Sequence, residues 1–150
     1  MTIPSFDENG NLPPGVHWAT WDEFKQRFGS TLRRSRMIEG LKQAMEALKA
    51  SGCRTIYVNG SFVTDKLNPG DFDACWDSET VDFRLLRMIA PTLLDMNDKR
   101  RGQKARYGGE FFQSDWIVDE AGTTALDLFQ TDKQQQRKGI IAIDLQRWEP

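Results

Sequence analysis

The feature that most narrows the folds open to this chain is a long amphipathic segment that runs straight into a short apolar one. From Leu32 onward, Met37, Ile38, Leu41, Met45 and Leu48 recur near helical spacing, while Arg33, Arg34, Lys42 and Lys49 fall on other faces. Ser30 or Thr31 supplies an N-cap, and Ser51-Gly52-Cys53 ends the helix. Thr55-Ile56-Tyr57-Val58 follows at once, a β-branched and aromatic run suited to a strand. A helix with one apolar stripe must bury it, and the nearest surface is the sheet that this strand begins.

The rest of the chain supplies the other layers. Thr20 and Glu23 form a capping-box pattern that opens WDEFKQRF, residues 21–28, and Gly29 stops it. Phe72 to Trp76 reads as a second strand. Residues 81–105 return to helical character, with Phe83, Leu85, Leu86, Ile89, Leu93 and Leu94 spaced for burial and Pro91 forcing a kink or restart. Three further strands are predicted at 109–113, with room to run on to Val118, at 125–130 and at 139–145; 131–138 is a polar loop. The pattern predicts an α+β fold, a small mixed β-sheet flanked by helices. It forms a single domain over 20–150, with an extended Pro/Gly-rich leader over 1–19 that wraps or precedes it and that Trp18 and Trp21 pin down.

Composition removes several classes of function. A length of 150 residues suits one domain, and no apolar run is long enough to span a membrane. The first residues have neither a basic head nor an apolar signal core, so a cytoplasmic location is expected. Cys53 and Cys75 fit no CxxC or zinc spacing and read as buried, reduced thiols. His17, the single histidine, lies in the leader, which argues against Ser-His-Asp and Cys-His nucleophile systems and against zinc sites built on several histidines. A net charge of −2 argues against bulk affinity for nucleic acid. The basic residues are nonetheless uneven: Lys99, Arg100, Arg101, Lys104 and Arg106 form one dense cluster, either a solvated helix end or a contact for a phosphate-rich acceptor.

The chemistry concentrates in GSFVTDKLNPGDFDACWD, residues 60–77. On a strand, Asp71 and Asp73 point one way and Phe72, Ala74 and Trp76 the other. Two like charges side by side repel, and a divalent cation relieves them. Upstream, Gly60 allows bare backbone to approach a ligand, and Ser61 stands at the start of a short helix whose N–H groups suit phosphate. Together these features point to phosphoryl or nucleotidyl transfer. Two plainer readings compete: Asn59-Gly60 as a two-residue hairpin turn, and Asp71-Phe72-Asp73 as the exposed face of an edge strand.

Gly60-Ser61, nine residues, and Asp71-Phe72-Asp73 resemble the signature of the DNA polymerase β-type nucleotidyltransferase superfamily, in particular its minimal members. LPPGVHWATWDEF, GCRTIYVNGSFVTDK, PGDFDACWD and KGIIAIDL are similar to an uncharacterised bacterial family of small proteins with that core. The resemblance implies a metal-dependent enzyme with two Mg²⁺ ions, for which Mn²⁺ can substitute, an NTP donor, and a protein or RNA acceptor. It also implies a toxin–antitoxin or phage-defence setting, where the acceptor could be a partner toxin. Asp71 and Asp73 would hold the metals, Gly60 and Ser61 the β- and γ-phosphates, and a third acid on a neighbouring strand would complete the set.

Glu110 is the preferred third acid and Asp115 its rival, since Phe111 and Phe112 place Glu110 in a strand whereas Asp115 sits near a bend. An unbroken strand would put the two on opposite faces. Asn59 stands where many minimal members have an apolar residue, and Phe62-Val63-Thr64 where they have an arginine, leaving Thr64 and Lys66 as substitutes for the triphosphate contacts. These departures also allow a binding module of the same fold with vestigial acids. Trp76, Trp116, Trp148, Phe111, Phe112 and Phe129 read as core, with Tyr107 and the Phe111–Phe112 pair near enough to Glu110 to stack on a base.

Overall fold

A computed structural model describes residues 3–150. The elements are β1 (Gly15–Trp18), α1 (Trp21–Phe28), α2 (Leu32–Ala50), β2 (Thr55–Asn59), β3 (Phe72–Trp76), α3 (Phe83–Ile89), α4 (Asn97–Tyr107), β4 (Gly109–Gln113), α5 (Ala125–Leu128) and β5 (Gly139–Asp144), with 3-10 turns at Gly60–Val63 and Pro91–Leu94. The sheet order is β1-β5-β2-β3-β4. β2 runs antiparallel to β3 and β5, whereas β1 is parallel to β5 and β4 parallel to β3. The fold is a small α+β fold with a mixed sheet.

Both early helices are capped as the sequence predicts. Thr20 and Glu23 exchange side-chain and backbone hydrogen bonds at the start of α1, and the Thr31 hydroxyl accepts from Arg34 N at the start of α2. The apolar stripe of α2 (Met37, Ile38, Leu41, Ala44, Met45, Leu48) packs on one face of the sheet, formed by Ile56, Val58, Phe72, Ala74, Trp76, Phe111, Ile141 and Ile143. A continuous chain of rings runs through this layer, Phe24 to Phe62 at 5.9 Å, Phe62 to Phe72 at 6.2 Å, Phe72 to Phe111 at 5.4 Å and Phe111 to Tyr107 at 5.5 Å. On the opposite face Cys75, Ile140 and Ala142 are buried, as is Ala125 of α5, the small helix in the excursion that precedes β5.

Several expectations change. The leader wraps the domain, one of its two expected arrangements, and adds a strand that was not expected: residues 15–18 form edge strand β1, Leu12 O accepts from Gly139 N, and Arg27 donates to the carbonyls of Ile3 and Pro4. Met1 and Thr2 lie outside the described residues. Trp21 is buried against Trp148, whereas Trp18 stays 41 % exposed on β1. Within the 125–130 run, Ala125–Leu128 form the short helix α5 and no strand, because Thr124 caps the turn by accepting from Asp127 N. Strand β4 stops at Gln113 and does not reach Val118.

The 81–105 segment breaks at Pro91 as expected, and again at Asp98–Arg100, whose φ values of 52°, 54° and 61° are left-handed. Both cysteines are free and buried, and burial pushes the Cys53 thiol up to about 12. No helix among the described residues is long and apolar enough to cross a membrane.

Candidate active site

The site grows from the register of three strands. Asn59 of β2 lies opposite Asp73 of β3, and Asp73 lies opposite Glu110 of β4. All three therefore stand on one face, the face away from α2, with Asp71 two residues before Asp73 on the same side. β3 is an interior strand, so Asp71-Phe72-Asp73 does not decorate an edge. Asn59-Gly60 is not a two-residue hairpin turn either, since residues 60–71 separate β2 from β3 and begin with the 3-10 turn at Gly60–Val63.

Gly60 is required twice over. Its φ of +81° is left-handed, and a Cβ there would come within 2.6 Å of Asp73 Oδ2. Bare backbone thus lies directly against the carboxylate. Ser61 follows in the first residues of the 3-10 turn.

The connecting loop is fastened by two arginines of α2 that the sequence reading left among the helix's polar faces. Arg34 is 3 % exposed and donates to the carbonyls of Phe28, Phe62, Thr64 and Lys66. Arg33 Nε donates to Pro69 O at 2.7 Å, just ahead of Asp71. One signal in the sequence could have found them. Two cations in the first turn of a helix oppose its macrodipole and so call for other partners. Thr64 belongs to the same scaffold: its hydroxyl donates to Ser61 O at 2.6 Å and accepts from Lys66 N, so it braces the turn and is not presented to a ligand.

The three acids feel one another. Burial, then the charges of Asp71 and Glu110, push Asp73 up to about 7, against the pull of Lys138 and Lys104. Asp71 is raised by burial and by Glu110, against Lys104 and Lys66. Three lysines therefore lie within electrostatic reach of three carboxylates. Lys138, at the foot of β5, shares its face with Ile140, whose strand neighbour Asn59 leads across to Asp73. It belongs to the QQQRK run, 134–138, at the end of the polar loop predicted over 131–138.

Glu110 makes the closest contact, a 2.8 Å ion pair with Lys104 of α4. Asp115 is elsewhere: it is exposed, beyond the far end of β4, and accepts from Ser78 Oγ at 3.4 Å. Of the two rivals only Glu110 joins the aspartates. Asn59 is fully buried, and neither side-chain O nor N makes a hydrogen bond, although the Cys75 thiol lies beside it.

The basic cluster is largely spoken for. Arg100 donates to Phe111 O and lies 3.9 Å from the Phe112 ring centroid; Arg101 pairs with Asp98, and Arg106 bonds Gln43. Tyr107 and Phe111 are buried in the helical core, and Phe112 is covered by Arg100 and Phe129, so none of these rings offers a free face for a base. Phe112, Trp116 and Phe129 are half-buried, not core. A cavity of about 570 Å³ lies at the other end of the sheet, among Trp18, Trp21, Asp144 and Trp148, and holds none of the three acids.

Oxygen donors of this kind fit Mg²⁺ or Mn²⁺. Among the described residues, however, no three His, Cys, Asp or Glu side chains already converge to hold an ion. Glu110 is turned to Lys104 instead.

Residues 4–144 match a family described as a family of unknown function, DUF6932. The chain belongs to that family. The match begins in the leader and ends at the last residue of β5, so it takes in the whole sheet and all three acids of this DUF6932 member. No curated protein and no solved structure matches the chain.

Proposed function

We propose that this protein is a metal-dependent nucleotidyltransferase that moves a nucleoside monophosphate from an NTP to a hydroxyl of a protein or RNA acceptor. The observation that carries this reading is the row Asp73–Glu110 across β3 and β4, with Asp71 on the same face and Gly60 against Asp73. Asp71 and Asp73 would hold two Mg²⁺ ions, which when bound would supply charge neutralisation at the transferring phosphorus. The Gly60-Ser61 backbone and Lys66 face the β- and γ-phosphates. The acceptor oxygen forms a bond to the α-phosphorus, the bond to the bridging oxygen breaks, and pyrophosphate leaves with that electron pair. The hydroxyl proton passes to Glu110. The reaction would take place in the cytoplasm, and a partner toxin in a toxin–antitoxin or phage-defence pair is one protein acceptor that fits.

The test is transfer of label from each α-³²P NTP, with Mg²⁺ or Mn²⁺, into a total cell extract. Wild type and Asp115→Asn should label the same acceptor, while Asp71→Asn and Asp73→Asn should lower the rate at least ~10³-fold, as loss of a transition-state charge clamp does. Equal labelling by wild type and the Asp73 variant would overturn the proposal.

A second reading has its own support: Glu110 is engaged by Lys104 and the Thr64 hydroxyl by its own loop. On that reading the fold is a binding module, antitoxin-like, and its acids are vestigial. It requires that Asp71→Asn and Asp73→Asn leave partner binding and phenotype intact.

A further inference from the structure

The Lys104–Glu110 ion pair joins two groups that the proposed reaction needs apart. It sits at the open side of the site, with the lysine side chain 43 % and the glutamate side chain 21 % exposed. The charge of Lys104 also reaches Asp71 and Asp73, so one ammonium serves all three acids. Lys104 stands in the last turn of α4, immediately before β4, and Glu110 is the second residue of β4. The two partners are thus carried by elements in direct sequence, and the pair can open by side-chain torsions alone. Across Asp73 from Glu110, the buried carboxamide of Asn59 stands on the same face.

We propose that Lys104 is an exchange partner: it pairs with Glu110 while the acids hold no cation, and on arrival of Mg²⁺ it releases Glu110 and turns to the phosphate that enters with the ion. The inference rests on the metal-dependent reading above. A divalent ion held by Asp73 and Asp71 offers Glu110 two positive charges in place of one. The same ion repels the ammonium, which then finds its new partner in the polyphosphate. Lysine suits this role better than arginine, because its ammonium is a compact charge on a flexible stem and does not depend on a fixed fork geometry. Ion and anion each favour the same rearrangement, so each must strengthen the binding of the other.

The experiment follows Lys104 itself. The whole chain is reductively methylated with ¹³C-formaldehyde, and the Lys104 dimethylamine resonance is assigned by its loss in Lys104→Arg. Addition of Mg²⁺ alone should move that resonance to the position it has in Glu110→Gln, where no ion pair exists. The Mg²⁺–tripolyphosphate complex should move it again. In calorimetry Lys104→Met should bind Mg²⁺ as tightly as wild type or tighter, and bind Mg²⁺–tripolyphosphate about tenfold more weakly, the loss of one charge-assisted contact.

If Mg²⁺ binds, as seen by calorimetry, while Lys104 stays at its original position, the exchange is wrong and the metal-dependent reading stands. Equal binding of Mg²⁺–tripolyphosphate by wild type and Lys104→Met also overturns the exchange. If wild type binds neither Mg²⁺ nor the complex, both fall.

Discussion

The two faces of β3 are built to opposite rules. Phe72, Ala74 and Trp76 point into a layer of helices and aromatic rings where burial lowers the free energy of the fold. Asp71 and Asp73 point the other way, where partial burial and mutual repulsion raise it. Residues one apart in sequence thus serve stability and chemistry separately. The contrast shows how a small domain can tolerate a strained charge cluster: the strain sits on a strand whose other side is among the best packed parts of the molecule.

The sharpest way to break that contrast is on the packed face. Phe72 is fully buried and touches Phe62 and Phe111 in edge-on geometry. Phe72→Ala should cost about 3–5 kcal/mol in urea unfolding. A loss under about 1 kcal/mol would mean that this face is not the stabilising one.

A somewhat smaller effect is expected at the clasp between the faces. Arg34→Met keeps the volume but leaves the carbonyls of Phe28, Phe62, Thr64 and Lys66 without their donor, and should cost about 2–4 kcal/mol. Wild-type stability in that variant would show that the loop between Gly60 and Asp71 does not depend on α2.

The acid face should give the smallest effect and the opposite sign. The folded Asp73 titrates near 7, above the value of about 4 for an unfolded aspartate, so between those pH values the folded chain holds a proton that the unfolded chain has released. Without divalent ions, stability from this group is full below about pH 4 and is lost as pH rises through 7. Asp73→Asn does not titrate. It should be more stable than wild type at pH 8, with the gain shrinking as pH falls and vanishing near pH 4, and thermal melts across that range read it directly. A variant less stable than wild type at pH 8 would place Asp73 among the stabilising residues after all.

Most of the scaffold was legible because its signals are local. The capping box at Thr20, the stripe of α2, the break at Pro91 and strands β2, β3, β4 and β5 each rest on a few adjacent residues. The 125–130 run misled because it has strand-like alternation, and the cap at Thr124 decided for a helix. β1 was hidden in a leader whose prolines and glycines read as turn, since its pairing partner lies at the other end of the chain.

At the site, the face shared by Asp71 and Asp73 follows from strand alternation, and register with Glu110 set the preference over Asp115 in space. Arg33, Arg34 and the Lys104–Glu110 pair were not legible as site elements, because an ion pair or a bond to a distant carbonyl has no period. The aromatic expectation at Tyr107 and Phe111 failed for a related reason. Phe111, next to Glu110 in sequence, points to the opposite face of the sheet, and Tyr107 packs on it from α4.

The sheet order also dictates a timetable for folding. β5 is interior in the sheet, between β1 and β2, yet it follows every other strand along the chain. During synthesis β2, β3 and β4 can pair early, so the three acids are assembled while the sheet has three of its five strands. β1 must wait, unpaired, until residues 139–144 emerge more than a hundred positions later, which is the kind of long-range closure that slows folding. Lys138 arrives with that final strand. A ribosome-bound chain would thus carry its acids in place before the last of their neighbouring cations, and Lys138 would reach the site only with completion of the sheet.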